Sequence, residues 1–592
     1  MAVIRWFWSI IKSVLNTLAR AVVILILLVI VFAVADSVAG DGLPDDMVLS
    51  LDLRLPMEDK SAPSVFDLAD SHASVMDVVL GLDAAARDER VKGLFLRIGS
   101  GGLSVPQAEE LRAAVKLFKA EGKFVIAHSQ SFYSGDLGDY AVAAAADEIW
   151  MQPASAFFAA GAASTTLFFK ELFDNIEAVP QFAQRYEYKN AVNAFTETDF
   201  TPEHREATLR VLQSWYDSAT GEIAADRNMD PGALTAALDQ SPSTVEEAMA
   251  QGLVTSIGYN DDAGDAALER AGAGAELTEF SDYLSAVRES RFDGGRPVLA
   301  LVHAAGDIVE GSFNDPLGAG SIIVAGDDFA DAIRDAAGDD AVEAILLRVD
   351  SPGGSAIASD QILDALKKAQ EAGKPVVVSM ATVAASGGYY ISLAADRIVA
   401  QPGTLTGSIG VFWGKIAVGN SLALLGVQAR ELGVGRGALF LSGLAPWDAD
   451  QFAEVDAQAD AIYEDFTRKV AEGRNIPLDQ VNDVARGRVW TGADAMERGL
   501  VDELGGFWTA VASAKELAGI APDAQIAFRE YPRRRGFLGM LESFFESSSA
   551  TLSALRGFER LMSSAPVQAL MAAAREAPDG RAQLRAVGLP GN

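Results

Sequence analysis

The 592-residue chain contains no cysteine. That excludes disulfides, zinc–thiolate sites and a thiol nucleophile, and it fits an oxidising compartment. Histidine is almost as scarce, with only His72, His128, His204 and His303 present. None of the four falls in the glycine-rich motifs of the second half, so all four read as structural and no imidazole base is evident. Positive charge is also short, and the formal net charge is −34. Nucleic acid would be repelled and is excluded as a partner; the acidic surface reads as a solubility device. Lysine is used far less than arginine, 14 against 34. Neither a GKS/GKT phosphate loop nor a GxGxxG fingerprint occurs, so nucleotide binding is not expected. No cofactor and no metal site are expected.

Apolar residues make up 49% of the chain, and glycine and alanine are abundant. This composition suits α/β layers with close helix–sheet packing, and the length exceeds what one core serves. Near the N-terminus Ala21 to Ala35 is an unbroken uncharged run, AVVILILLVIVFAVA. Arg5, Lys12 and Arg20 precede it, and Asp36, Asp41, Asp45 and Asp46 follow. Cationic residues stay cytoplasmic, so residues 1–40 read as a cytoplasmic segment plus single transmembrane anchor, with the bulk of the chain outside. A cleaved signal peptide is the competing reading, because FAVA offers small residues near a cut site. The aromatic and aliphatic residues Trp6, Phe7, Trp8, Ile10 and Ile11 extend the apolar surface upstream and favour the uncleaved anchor.

The largest feature is a duplication. GLFLRI at 93–98 and AILLRV at 344–349 both read as buried strands, and both lead into a glycine-rich turn, GSGGLS at 99–104 and DSPGGS at 350–355. A helical stretch follows each, then GKFVIA at 122–127 and GKPVVVS at 373–379. DYAVAAAADEIWMQP at 139–153 then matches GYYISLAADRIVAQP at 388–402, and EEAMAQGLVTSIG at 246–258 matches ADAMERGLVDELG at 493–505. Strand, turn, helix, strand, helix predicts parallel sheets with right-handed crossovers. The expected division is 1–40 anchor, 41–295 first repeat, 296–530 second repeat and 531–592 tail. The tail opens on Arg533-Arg534-Arg535 and a partly amphipathic stretch, which reads as a docking helix or frayed tail, or as a membrane-surface or assembly element.

Chemistry concentrates in the second repeat. In ATVAASGGYYIS at 381–392, Ser386 stands between small residues at the start of a predicted helix. Either it caps the helix, or it is a nucleophile beside N–H groups that can hold an oxyanion. The SPGGS turn also ends a strand, and ligands of parallel sheets bind beyond such ends. Gly354 and Gly387 N–H are therefore candidate oxyanion donors. With histidine unsuited, lysine is an alternative base. Lys189, in QFAQRYEYKNAVNAF, is flanked by aromatic and small residues, and partial burial there would favour its neutral form; spacing alone does not distinguish it from a surface lysine.

SPGGS, AASGGYY, TLTGSIG and YKNAVNAF together resemble the signal peptide peptidase A family, also called protease IV, over about 40–530. The resemblance implies two tandem Clp/crotonase-like spiral domains behind the anchor. It implies a membrane-anchored serine endopeptidase with Ser386 as nucleophile and Lys189 as general base. Ser408 would hydrogen-bond the lysine, and Gly354 and Gly387 would form the oxyanion hole. Cleaved signal peptides and other apolar peptides would be the substrates, at the periplasmic face of the inner membrane. A homo-oligomer, in the family a tetramer, is also implied. Aligning the repeats pairs Leu137 with Ser386 and Lys189 with about Arg436, so each repeat holds half of a dyad; Arg does not deprotonate in proteins and cannot serve as base. Two other readings are a crotonase-like acyl-CoA enzyme and a silent scaffold.

Overall fold

The computed structural model describes residues 42–60, 73–135, 137–289, 295–312 and 323–532. The expected anchor, the tail from Arg533 and His72 lie outside the described residues. Among the described residues no helix is long and apolar enough to cross a membrane.

The first repeat runs β1 (Met47–Asp52), α1 (Val75–Arg87), β2 (Val91–Arg97), α2 (Val105–Ala120), β3 (Phe124–Ser129), α3 (Gly138–Ala144), β4 (Glu148–Met151), β5 (Val179–Arg185), α4 (Pro202–Arg227), β6 (Ser256–Ile257) and β7 (Glu276–Glu279). The second runs β8 (Val298–Ala305), α5 (Gly326–Gly338), β9 (Val342–Ser351), α6 (Ala356–Glu371), β10 (Val376–Ala385), α7 (Gly387–Ser392), β11 (Arg397–Ala400), β12 (Leu405–Gly407), β13 (Val411–Ala417), α8 (Ala449–Arg474), β14 (Val489–Thr491), β15 (Glu503–Leu504), α9 (Phe507–Leu517) and β16 (Ala527–Tyr531).

Both sheets follow from continuous Val/Ile/Leu/Ala runs, the signature of strands buried on two faces. The first has six strands in the order β7-β1-β2-β3-β4-β6, all parallel. The second repeats that order as β16-β8-β9-β10-β11-β15, and β10 reaches further to pair with β12, which carries antiparallel β14. Small devices recur between the two. Tyr140 Oη donates to Leu253 O and Tyr389 Oη to Leu500 O, each at 2.9 Å. Asp147 accepts the Val125 N–H near the start of β3 and Asp396 the Val376 N–H at the start of β10, each at 2.8 Å. The long helices α4 and α8 both have 26 residues and both end on an asparagine in the left-handed conformation, Asn228 and Asn475, a position that favours Gly or Asn.

One core cluster spans both repeats. Leu299, Leu301, Leu346, Val377 and Phe507 of the second join Leu82, Leu111 and Val115 of the first in a single buried cluster. A buried ionic group crosses the same boundary. Arg348 donates to both Asp59 oxygens (3.1 and 2.7 Å), to Glu110 (2.9 Å) and to Ser379 (2.9 Å), and His303 Nε2 lies 2.6 Å from Asp59. All of these are nearly inaccessible to solvent. Fixed opposite charges at this depth compensate one another, because neither could be buried alone.

A second crossing positions the site. β5 of the first repeat pairs antiparallel with β13 of the second, from Val179↔Ala417 to Arg185↔Val411. Arg185 then clamps the pair onto α8 through Asp456 (3.0 Å) and Asp460 (2.6 Å).

Candidate active site

The β5–β13 ladder decides which residues meet. Lys189 lies four residues past the end of β5, and Ser408 lies three before the start of β13, so antiparallel pairing brings them together. Lys189 Nζ donates to Ser408 Oγ at 2.9 Å and to Ser408 O at 3.0 Å. It also lies 3.1 Å from Ser386 Oγ. The lysine is 4% exposed. No carboxylate stands within ion-pair distance of it among the described residues. Burial disfavours the ammonium, and no neighbouring carboxylate offsets that cost, so its pKa is pushed down to about 7.

Ser386 sits between the end of β10 and α7, with φ 54° and ψ −116°, a strained geometry of the kind that clusters at functional sites. Its N–H donates to Gly407 O at 2.9 Å, so the strand end is tied to the same turn that carries Ser408. Gly387 opens α7. Gly354 bridges the short strand Asp307–Val309: Ile308 N–H donates to Gly353 O, and Ser355 N–H to Ile308 O, both at 2.8 Å. Gly354 is then held with its own N–H on the opposite side. It has φ 147°, and a Cβ there would collide with the backbone of Ile308; only glycine fits. Neither Gly354 N–H nor Gly387 N–H donates to an acceptor among the described residues. All five residues expected at the site thus converge.

Two contributors escaped sequence reasoning. Gly487 lies between the lysine turn and the Ser408 turn. Its N–H donates to Ile409 O at 2.8 Å, Arg486 O accepts from Tyr186 N–H and Arg488 O from Ser408 N–H. A Cβ on Gly487 would come 2.5 Å from that of Lys189. A lone glycine between arginines gave no signal. The other is Asp350. The β9–β10 register jumps from Val349↔Met380 to Ser351↔Ala384, so Ala381 to Val383 bulge from that ladder and lose partners in β9. The Asp350 carboxylate accepts the freed N–H of Val383 at 3.0 Å and is also bonded by that of Thr382. Burial, reinforced by the nearby negative Asp59, pushes its pKa up to about 6. The repeat alignment held the clue, since Gly99 stands at this place in the first repeat.

The mirrored site in the first repeat is closed. Leu137 precedes α3 as Ser386 precedes α7, and it is buried. Asp139 accepts from Gly102 N–H and Leu103 N–H at 3.3 Å each. Those are the positions of Gly353 and Gly354 in the second repeat, so a carboxylate of the chain takes up the N–H that mirrors that of Gly354. Arg436 lies on the surface, paired with Glu454 at 3.0 Å. The histidines hold structural places: His303 on Asp59, His128 Nε2 3.3 Å from Gly258 O, and His204 packed on Phe200 and Phe168.

The chain is similar to proteins already known. The model of peptidase family S49 matches residues 118–274 and again 368–521, once in each repeat. Protease 4 of Haemophilus influenzae is 32% identical over 467 residues, 76% of this chain and 74% of its own. Protease 4 of Salmonella typhi is 34% identical over 461 residues, covering 75% and 72%. The chloroplastic serine protease SPPA of Arabidopsis thaliana is 31% identical over 461 residues, covering 76% and 66%.

Proposed function

The chain belongs to peptidase family S49, the family of protease 4, and is a serine peptidase; on that premise we propose that Ser386 and Lys189 form its catalytic dyad. The observation that carries the reading is one lysine amine, buried without a counter-ion, 3.1 Å from the serine hydroxyl. A base must be neutral and within hydrogen-bond reach of the proton it takes.

Neutral Lys189 accepts the Ser386 hydroxyl proton as Oγ attacks the scissile carbonyl carbon. Negative charge then develops on the carbonyl oxygen, where Gly354 and Gly387 N–H stabilise it; one such donor contributes about 3–4 kcal/mol. The Lys189 ammonium returns the proton to the leaving amine, and the C–N bond breaks. In the second half Lys189 takes a proton from water, hydroxide adds to the acyl-enzyme, and Ser386 leaves with its proton restored. Ser408 fixes the direction of the amine through its hydroxyl and carbonyl.

The rest of the proposal concerns setting. Residues 21–35 anchor the chain once in the inner membrane, with the peptidase on the periplasmic side. The substrates are cleaved signal peptides and other apolar peptides, cut as by an endopeptidase close to the membrane that releases them. The test is labelling by a fluorophosphonate probe alongside hydrolysis of an apolar peptide. Wild type is expected to label and cleave. Ser386→Ala should do neither, and Lys189→Ala should lose hydrolysis with its fold intact. Near-normal cleavage by either variant would refute the dyad.

A further inference from the structure

The strand that delivers Ser386 changes partners on the way. Up to Met380, β10 runs in register with β9; from Val383 to Ala385 it pairs with β12, as Val383↔Leu405, Ala384↔Thr406 and Ala385↔Gly407. The exchange is held from both sides. Thr404 Oγ1 donates to Ala381 O at 2.7 Å, and Thr406 Oγ1 to Ala384 O at 2.8 Å. From β9, the Asp350 carboxylate accepts from Val383 N–H at 3.0 Å and is bonded by Thr382 N–H. The bulge is thus gripped by its carbonyls on the β12 side and by its N–H groups on the β9 side. The Asp350 backbone is itself fixed, since its O accepts from Gly306 N–H at 2.9 Å and it pairs with Ala305 of β8. Three residues after Val383, about 10 Å of strand, stands Ser386, whose N–H donates to Gly407 O beside Ser408.

The first repeat supplies the contrast. Gly99 stands where Asp350 stands, and a Cβ on it would come 2.0 Å from Ser129 Oγ and 2.7 Å from Ser131 O. That space is filled by the neighbouring strand end, with no room for a carboxylate. The repeat with Leu137 in place of the serine therefore lacks the clamp, and the repeat with Ser386 has it. Bulges recur beside active sites because they re-aim a side chain.

We propose that Asp350 is a positioning residue of the peptidase: its ionised carboxylate holds the β10 bulge, and through it the place of Ser386 Oγ relative to the Ser408 turn on which Lys189 is seated. The inference rests on the Ser386–Lys189 dyad, neither member of which Asp350 touches. An ionised carboxylate only accepts hydrogen bonds, whereas a protonated one turns one oxygen into a donor. A donor set against the Thr382 and Val383 N–H groups loosens the grip, so the clamp is released by acid. Burial and then Asp59 push the Asp350 pKa up to about 6, against the pull of the two N–H groups and Arg348. The other charged groups on this side are His303 of β8, bonded to Asp59, Glu110 of α2, bonded to Arg348, and exposed Asp307 beyond Gly306. β10 and β12 carry no charged side chain.

The test compares wild type, Asp350→Ala and Asp350→Asn as full-length, detergent-solubilised protein, with kcat and KM on a fluorogenic apolar peptide from pH 5 to 9 and a melting curve at each pH. At pH 8 Asp350→Ala should lose about ten-fold in kcat with KM unchanged, because the side chain positions the nucleophile and does not meet the peptide. Asp350→Asn keeps an acceptor and cannot titrate, so at pH 8 it should stay within about two-fold of wild type. The ionisation of Lys189 is common to all three and cancels from their ratios. At pH 5 wild type should have fallen to within about two-fold of Asp350→Ala, and Asp350→Asn should exceed wild type by about five-fold. A gap between wild type and Asp350→Ala that is the same at every pH would mark a merely structural residue and overturn the proposal. So would wild-type kcat in Asp350→Ala at pH 8, or an Asp350→Asn no better than Asp350→Ala. Should Asp350→Ala not fold, the ratio of Asp350→Asn to wild type at the two pH values decides alone. Cleavage by Ser386→Ala, measured with Asp350 intact, would instead sink the dyad, so the two failures are read apart.

Discussion

Lys189→Met should make the protein more stable while abolishing its activity, and the gain should depend on pH. The Lys189 pKa lies at about 7 against 10.5 for a free lysine, with burial as the cause. The unfolded chain therefore binds more protons than the folded chain between those values, and wild-type stability rises with pH across that window. Below pH 7 the folded state bears the whole difference, about 5 kcal/mol at 1.4 kcal/mol per pH unit. At pH 9 about 2 kcal/mol remains, and above 10.5 none. Methionine avoids the cost but leaves Ser408 without its donor, a loss of about 1–3 kcal/mol. The net expectation is a variant more stable than wild type by about 2–4 kcal/mol at pH 6 and close to wild type at pH 9. Urea unfolding followed by tryptophan fluorescence at both pH values measures this. The paired readout is the wild-type pH–rate profile, which should rise through an apparent pKa near 7 as Lys189 becomes neutral. A stability difference that does not change with pH, or a variant less stable at pH 6, would refute the buried, unpaired amine.

Two further outcomes follow from features away from Lys189. In a Ser386→Ala background, Leu137→Ser should gain no fluorophosphonate labelling, because Asp139 already occupies the Leu103 N–H that mirrors that of Gly354; labelling above background would contradict that account. Arg348→Met should cost about 3–5 kcal/mol by leaving Asp59 and Glu110 uncompensated in the core, and thermal or urea unfolding within 1 kcal/mol of wild type would show that the cluster does not lock the repeats.

The architecture was legible because duplication puts each element on the page twice. Matching GLFLRI with AILLRV gave parallel strands and a Gly turn at each strand end, and the two sheets keep the same strand order. Ser386, with its small neighbours, drew attention from local sequence alone. Lys189 did not, because its character comes from burial under the turn Arg486–Arg488, almost 300 residues away, and only the family resemblance singled it out. Asp350 was hidden for a related reason: its use depends on a bulge in the neighbouring strand. Arg348 in AILLRV looked like one charge in an apolar strand, and its partners Asp59 and Glu110 lie in distant segments with no shared pattern. Contacts set by tertiary packing leave little trace in local composition, whereas repeats and Gly-flanked turns leave a strong one.

The β5–β13 crossing also bears on the order in which the protein is made. The lysine turn emerges from the ribosome some 200 residues before the serine, and β13 follows the serine by a further 25. A nascent chain therefore holds an amine with no hydroxyl to activate, and later a hydroxyl whose amine is not yet seated. On the proposed dyad, the amine meets the hydroxyl only when β13 lies down on β5 and the Gly487 turn closes beneath Lys189. The finished fold itself, on that reading, is what brings the amine to the hydroxyl.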